Sequence, residues 1–178
     1  MIYLFLAEGF EEIEALTPVD MLRRAGKDIR TVGIGSKTVA GAHGISVLAD
    51  MSENEFNDNA PEMIILPGGM PGTLNLDASA TVQKAIDSAI TTGAFIAAIC
   101  AAPTILGKRG LLEGKVATCY PGMEAELKGA LLTEQTVARD GNIITAAGMG
   151  AALPFALELI SVLCGETLAR KLKSAVVG

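Results

Sequence analysis

The feature that most constrains the fold is a short apolar run, Phe95–Ile99, that leads directly into a cysteine. An uninterrupted run of this length is typical of a strand buried on both faces of a parallel sheet. Small residues and a proline then begin a helical pattern that continues to Arg109. Cys100 is therefore predicted at a strand-to-helix turn on the carboxyl edge of a sheet, where open α/β folds place their sites.

This position allows two interpretations of Cys100. The free N–H groups of the first helical turn would face the sulfur and favour the thiolate, so we expect its pKa to lie below that of free cysteine and to be the lowest of the three thiols. Alternatively, the side chain is a small buried hydrophobic residue, as free cysteines often are. For Cys119 and Cys164 we expect this second, structural role.

The rest of the chain alternates strand and helix patterns. Strands are predicted at Ile2–Leu6, Asp28–Gly33, Met63–Leu66, Lys115–Cys119 and in a hairpin around Asp140-Gly141. Helices are predicted at Glu11–Ala25, Ser79–Thr92, Ala151–Cys164 and Glu166–Val176. This alternation predicts an α/β fold in which helices cover both faces of a mostly parallel sheet.

Two of the predicted helices carry details that the structure can test. Pro18 lies inside the helix Glu11–Ala25, so a kink or break is expected near Leu16. The apolar spacing of the helix Ser79–Thr92 predicts five inward-facing residues: Val82, Ala85, Ile86, Ala89 and Ile90.

Length and composition restrict the functional class. With 178 residues, half of them apolar, the chain is expected to form one domain over residues 1–178 with a substantial core. The net charge of −6 argues against a nucleic-acid partner, and no apolar run reaches transmembrane length, so no membrane partner is expected. Three cysteines without paired spacing predict a reducing, cytoplasmic location, and a single histidine argues against a metal site.

A glycine-rich turn, Pro67–Gly72, follows the strand Met63–Leu66. Glycines at the end of a buried strand let backbone N–H groups approach a ligand closely. The turn contains neither a Walker sequence nor GxGxxG, so no nucleotide cofactor is predicted.

Taken together, these segments resemble the ThiJ/PfpI superfamily and most closely its DJ-1 branch. The matching segments lie in order, at family spacing, over essentially the whole chain: Ala7–Glu14, Pro18–Asp20 with Arg23–Gly26, Leu66–Gly69, Ala97–Pro103 and the glycine-rich approach to the helix containing Phe155–Leu157. The resemblance implies a flavodoxin-like three-layer sandwich, usually a homodimer, with a reactive cysteine at the turn. In such a dimer we expect the helix Glu11–Ala25 at the interface, because Val19, Met21 and Leu22 give it surplus apolar surface.

The resemblance also implies roles for individual residues. Cys100 matches the family nucleophile, and Glu14 matches the acid whose side chain meets that sulfur. The backbones of Gly69 and Ala101 match an oxyanion-type pocket, and further candidates for contacting the substrate are Gly68, Tyr120 and His43.

Physical chemistry suggests which form of Glu14 would suit this place. A carboxylate beside a thiolate is mutually disfavouring, whereas a protonated carboxyl can donate a hydrogen bond to the sulfur. The alternative is an ordinary solvated helix acid, a role that fits Glu11 and Glu12 better.

The chain departs from parts of the superfamily in its histidines. Some members have a histidine at the position of Tyr120, and proteolytic or glutaminase members need one after the cysteine. Here the single histidine, His43, precedes Cys100 and matches an arginine of relatives, so protease and amidotransferase activities are disfavoured. Tyr120 could offer a hydroxyl or only pack, and His43 could border the pocket or be a loop residue.

Two functions stay open at this stage. The resemblance implies a glyoxalase or deglycase in which the Cys100 thiolate adds to a small dicarbonyl such as methylglyoxal, with Glu14 moving protons. No cofactor is expected, because the thiol can leave again. The alternative is a non-catalytic redox-responsive or chaperone-like stress protein whose Cys100 is oxidised to sulfinate. A third label carried by the family, thiazole monophosphate biosynthesis, has no support in these residues.

Overall fold

The fold is known from a computed structural model, which describes residues 1–57 and 60–177. The strands are β1 (Ile2–Leu6), β2 (Ile29–Gly33), β3 (Thr38–Ala40), β4 (Ser46–Leu48), β5 (Met51–Ser52), β6 (Met63–Leu66), β7 (Phe95–Ile99), β8 (Val116–Ala117), β9 (Leu131–Leu132), β10 (Val137–Asp140) and β11 (Ile143–Ala146). The α-helices are α1 (Glu12–Arg24), α2 (Gly72–Ala78), α3 (Ala80–Thr92), α4 (Pro103–Lys108), α5 (Ala152–Cys164) and α6 (Glu166–Ala175).

The central sheet has seven strands in the order β10-β11-β7-β6-β1-β2-β5. All neighbouring strands are parallel except β10 and β11, which form the predicted hairpin. The predicted mostly parallel sheet is therefore confirmed. Strands β6, β7 and β1 lie next to one another, and this brings the turns that follow them to one edge of the sheet.

The strand predicted at Lys115–Cys119 is shorter than expected and lies outside the central sheet. The part that forms a strand, β8, pairs with β9 in a separate two-stranded sheet. The N–H group of Val116 donates to Asp140 Oδ2, and that of Thr118 donates to Thr145 Oγ1, each over 3.0 Å. These backbone donors bond to side-chain oxygens, so the segment runs beside the hairpin without joining its ladder.

Alternating side chains of β1 separate the core into two parts. Leu4 packs with the residues of α1, α5 and α6, among them Phe155. Phe5 packs on the opposite face with α3 and α4, among them Ile105. Both faces of the sheet are therefore covered by helices, as the apolar character of the strands predicts. Among the described residues, no helix is long and apolar enough to cross a membrane.

Helix α1 runs through Pro18 without interruption, so a break near Leu16 is wrong, and the alternative, a kink, stays a prediction. Proline has no N–H group, and the helix loses the hydrogen bond that residue 18 would donate to the Glu14 carbonyl. Packing offsets this loss, because Pro18 is buried and Leu22 lies in the same apolar cluster as Phe155.

Two details of the predicted surfaces are corrected by burial. Ile90 was expected to face inward on α3 but is 44% exposed, while the other four predicted residues of that helix are fully buried. Val19, Met21 and Leu22 do not supply surplus surface on α1, because all three are buried in the protein's own core. The exposed apolar residues of α1 are instead Ile13 and Leu16.

Candidate active site

Three turns meet at the carboxyl edge of the central sheet. Glu14 lies in the first turn of α1, which follows β1, and Gly68 and Gly69 follow β6. Cys100 follows β7, and the turn after β6 lies between the other two turns, because β7 pairs with β6 and β6 pairs with β1. The parallel sheet therefore brings together five of the residues predicted from the sequence: Glu14, Gly68, Gly69, Cys100 and Ala101.

The backbone at Cys100 has a positive φ of 64°, a conformation that non-glycine residues rarely adopt. The turn is held on both sides: the Cys100 N–H donates to the Ala146 carbonyl, and the Tyr120 N–H donates to the Cys100 carbonyl, each over 2.8 Å. The sulfur accepts from the N–H groups of Gly69 and Ala101. The side chain is half-buried, so the thiol is reachable at the sheet edge.

Glu14 is 1% exposed, and its carboxyl is in hydrogen-bond contact with the Cys100 thiol. Its Oε2 also accepts from the Gly68 N–H over 3.0 Å. Only glycine fits at position 68, because a Cβ there would lie 2.6 Å from both Cys100 Cβ and Glu14 Oε2. In the part of the chain that is described, Glu14 Oε1 is buried without a hydrogen-bond partner. The expectation of a solvated acid is therefore excluded for Glu14.

Burial raises the pKa of Glu14 from its ordinary 4.5 to about 7, although the hydrogen bonds from Cys100 and Gly68 act in the opposite direction. Burial also raises the pKa of Cys100 from 9.0 to about 12, and the nearby Glu14 carboxylate adds to this rise. The N–H groups of Ala101 and Gly69 lower it by less. Because the two groups are in contact, they titrate as a coupled pair in which the carboxyl loses its proton at a lower pH than the thiol.

The raised pKa of Cys100 corrects the expectation that it lies below that of free cysteine. Burial also raises the pKa of Cys119, to about 11. The helix N–H groups act as expected, but burial and a neighbouring carboxylate outweigh them. Above the pKa of Glu14, the pair therefore consists of a thiol and a carboxylate that share one proton, rather than a free thiolate.

Tyr120 lies at the same edge of the sheet. A Cβ at Gly148 would be 3.4 Å from Tyr120 Cδ2 and 4.0 Å from Glu14 Oε1, so the aromatic ring and this carboxyl oxygen flank the same glycine. Half of Tyr120 is exposed. The ring therefore lies near Glu14, on the other side of Gly148. The sequence predicted Tyr120 as a candidate for the site but not this arrangement.

His43 lies against the start of α1 rather than against Cys100. Its Nδ1 is 2.9 Å from Glu12 Oε2 and 3.6 Å from Glu11 Oε2, and its backbone N–H donates to Glu12 Oε1 over 2.8 Å. The side chain is 67% exposed. The hydrogen bond with Glu12 and the charge of Glu11 raise the pKa of His43.

Glu12 was expected to be a solvated helix acid, and this expectation is wrong because only 5% of the residue is exposed. Burial alone would raise the pKa of Glu12, but hydrogen bonds from His43 and Ile45 outweigh it and lower the pKa overall. These partners lie 31 and 33 positions along the chain. Spacing within the helix gave no signal of them.

The carboxylates of Glu11 and Glu12 and a ring nitrogen of His43 lie within 4.8 Å of one another, close enough for metal ligands. However, both oxygens of Glu12 already bond to the segment that contains His43 and Ile45. This group therefore anchors a loop to the start of α1.

The remaining cysteines lie outside the site. Cys119 is 4% exposed, as expected for a core residue. Cys164 is half-buried at the end of α5 and packs against the apolar cluster of that face.

Comparison with known proteins identifies the family of the chain. The profile of the DJ-1/PfpI family matches residues 1–162. The chain belongs to this family. It is 37% identical to Protein dj-1beta of Drosophila melanogaster over 164 residues, which cover 90% of this chain and 88% of that protein. It spans less than half the length of two Arabidopsis thaliana DJ-1 homologues.

Two further similarities bear on function. The chain is 30% identical to a Caenorhabditis elegans protein named glutathione-independent glyoxalase DJR-1.2. The match covers 89% of this chain and 85% of that protein. Among solved structures, an oxidised DJ-1 of Toxoplasma gondii matches with a TM-score of 0.91 and 34% identity, covering 99% of this chain and 97% of that one.

The fold itself is shared with a DJ-1 superfamily protein of Salmonella typhimurium that was crystallised with a cysteine replaced by alanine. The TM-score is 0.94 at 31% identity, with 99% of this chain and 97% of that chain covered. The predicted flavodoxin-like sandwich and the predicted family are thus confirmed.

Proposed function

We propose that this DJ-1/PfpI protein is a cofactor-independent glyoxalase, with related deglycase activity, that acts on small dicarbonyls of the methylglyoxal class. The observation that carries the proposal is the buried Glu14 carboxyl in contact with the Cys100 thiol. A pKa of about 7 suits an acid–base group that must both take and return protons at neutral pH. The glyoxalase name of the Caenorhabditis elegans relative supports the same chemistry.

The first step uses the single proton of the pair. The Glu14 carboxylate takes the thiol proton while the Cys100 sulfur forms a bond to the aldehyde carbon, and the carbonyl π electrons move to the oxygen. The N–H groups of Gly69 and Ala101, which point at the sulfur, stabilise this oxyanion. Glu14 then returns the proton to the oxyanion, which gives a neutral hemithioacetal.

The second step moves a proton between neighbouring carbons. The Glu14 carboxylate removes the hydrogen of the former aldehyde carbon, and an enediolate forms with its negative charge on the former keto oxygen. Glu14 returns this proton to the adjacent carbon, and the hydroxyl proton of the first carbon moves to the former keto oxygen, which gives a thioester of a 2-hydroxy acid on Cys100. Water then breaks the C–S bond, so the hydroxy acid leaves and the thiol is restored. Dicarbonyl and water are consumed, and no oxidant or reductant is needed.

Turnover of methylglyoxal to lactate by the purified protein tests this function. Cys100→Ser is expected to abolish turnover, whereas Cys164→Ser, a change at a half-buried thiol outside the site, is expected to retain it. Lactate formation that survives Cys100→Ser, or its absence from the wild type, would contradict the proposal.

A redox-responsive stress or chaperone-like role is the second candidate. The observations that favour it are the half-buried thiol at the turn and the similarity to an oxidised DJ-1 structure. Peroxide would oxidise Cys100 to sulfinate, and the N–H groups of Gly69 and Ala101 would hold its oxygens. Oxidation of Cys100 at low peroxide, without any dicarbonyl turnover, would favour this role over the enzyme.

We further propose a homodimer that uses α1, in the reducing cytoplasm. Ile13 and Ile45 are 48% and 56% exposed and line one apolar groove together with Leu16. Burying such a groove in a two-fold interface removes apolar surface from water. Ile13→Glu is expected to shift the sedimentation coefficient from dimer to monomer, and a monomeric wild type at micromolar concentration would contradict this proposal.

A further inference from the structure

A cavity of about 250 Å³ lies next to the Cys100 turn. Its buried floor is formed by Thr73, Ala101 and Thr104, and apolar side chains of its wider rim are Met70, Leu74 and Met123. We call it the Thr73 pocket. Cys100 and Glu14 are not among its lining residues, so it is separate from the acid–thiol pair.

The Thr73 pocket shares its walls with the two N–H groups that face the sulfur. Ala101 contributes one of these groups and lines the floor, and Met70 follows Gly69, which contributes the other. An aldehyde oxygen held by these N–H groups would place the rest of its molecule beside the pocket. The substituent of a bound substrate therefore has a cavity into which it can extend.

The size of the pocket argues for a substituent larger than methyl. An apolar cavity of about 150 Å³ is sufficient to bind benzene. The Thr73 pocket, at about 250 Å³, thus has room for a phenyl ring or a branched alkyl group. A methyl group would leave most of it unfilled.

The polar groups of the pocket define the ligand further. Thr73 Oγ1 is buried and, within the described residues, has no hydrogen-bond partner, whereas the Thr104 hydroxyl donates to the Ala101 carbonyl over 2.7 Å. A buried hydroxyl is stabilised when a ligand supplies its partner. At the rim, Lys108 is paired with Asp77 over 2.8 Å, and Glu126 brings a negative charge. An anionic substituent is therefore disfavoured.

We propose that the Thr73 pocket binds the distal part of a neutral 2-oxoaldehyde larger than methylglyoxal. The aldehyde carbon reacts at Cys100, the Thr73 hydroxyl donates to the neighbouring keto oxygen, and the aryl or alkyl group lies between Leu74 and Met123. This inference rests on the glyoxalase activity proposed above and adds a substrate class to it.

The test compares initial rates with phenylglyoxal and methylglyoxal, measured as mandelate and lactate. The wild type is expected to have a kcat/KM about tenfold or more higher for phenylglyoxal, the selectivity that a filled apolar pocket supplies. Leu74→Trp fills the pocket and is expected to lower kcat/KM for phenylglyoxal about tenfold while changing methylglyoxal turnover less than about twofold. Leu132→Trp, at a leucine with similar exposure on β9, is the matched control and is expected to change neither.

Thr73→Val tests the polar contact, because it keeps the shape and removes the hydroxyl. Both substrates carry the keto oxygen, so KM is expected to rise about tenfold for both, at an unchanged melting temperature. An unchanged KM for both would overturn the role given to Thr73.

The outcomes separate this inference from the function on which it rests. Absence of turnover for both substrates by the wild type would overturn the glyoxalase proposal itself. Turnover of both substrates with no preference for phenylglyoxal, or an equal loss for both in Leu74→Trp, would overturn the pocket assignment alone.

Discussion

Glu12 and Glu14 lie two residues apart in the first turn of α1, and both are almost fully buried, yet their pKa values move in opposite directions. Glu12 accepts hydrogen bonds from two backbone N–H groups and an imidazole, all from the loop at His43 and Ile45. Glu14 accepts from one backbone N–H and faces a thiol that can itself become negative. Burial alone therefore does not determine the charge state of a carboxyl; the number and charge of its partners do.

This difference assigns the two acids different tasks. Glu12 is stabilised as a carboxylate and fastens a loop, whereas Glu14 is poised to exchange a proton near neutral pH. The contrast can be tested by making the same change at both positions.

The largest effect is expected from Glu14→Gln on dicarbonyl turnover. The amide keeps most of the shape but cannot transfer a proton, so kcat/KM should fall about 10²–10⁴-fold, the contribution of a positioned acid–base group. Glu12→Gln is the matched control and should retain activity within about tenfold. Steady-state kinetics with methylglyoxal measure both, and full activity of Glu14→Gln would make Glu14 a structural acid only.

The second prediction concerns stability against pH. The pKa of Glu14 is raised in the folded state, so its contribution to stability is fully present below about 4.5 and is lost as pH rises to about 7. At about 1.4 kcal/mol per pKa unit, this loss amounts to about 3 kcal/mol, and the Glu14→Gln variant should not show this pH dependence. Glu12 has a lowered pKa, so its contribution is present above 4.5 and is lost in acid. The unfolding free energy of each variant, measured with urea between pH 3 and 8, should therefore differ from that of the wild type by an amount that changes with pH. The direction of this change should be opposite for the two variants.

The third prediction is that Glu14→Gln makes Cys100 more acidic. The change removes the carboxylate charge that raises the pKa of the thiol, while the N–H groups of Gly69 and Ala101 remain. Iodoacetamide rates measured against pH should shift their midpoint down by about one pKa unit or more, and peroxide oxidation should not slow. An upward shift would show that the carboxyl had stabilised the thiolate.

The smallest effect is expected from His43→Gln. His43 is 67% exposed, and an exposed pair contributes little to stability. The melting temperature should fall only slightly and turnover should change less than about twofold. A large loss of turnover would place His43 in the reaction rather than in the loop that Glu12 holds.

The sequence predicted those features that depend on local pattern and strand order. Apolar runs and helical spacing predicted the parallel sheet, and the small residues after Phe95–Ile99 predicted the turn that places Cys100 at its edge. The contact between Glu14 and Cys100 followed from a family resemblance.

Features that depend on distant partners could not be predicted. The pKa of Cys100 depends on how deeply Glu14 is buried, and the role of Glu12 depends on a loop 31 positions away. The strand predicted at Lys115–Cys119 forms only over Val116–Ala117 and outside the central sheet, because side-chain oxygens of Asp140 and Thr145 take its backbone donors. Composition and spacing carry no information about such contacts.

We infer that the protein reacts with Glu14 ionised and Cys100 protonated, so that the two groups share one proton. The pH dependence of kcat/KM for methylglyoxal tests this inference, because the profile reports the groups of the free enzyme. We expect kcat/KM to rise with pH through a midpoint near 7, where Glu14 loses its proton, and we expect Glu14→Gln to lack this midpoint. A wild-type profile that stays flat through pH 7 and rises only near 9, as for an ordinary thiol, would contradict it.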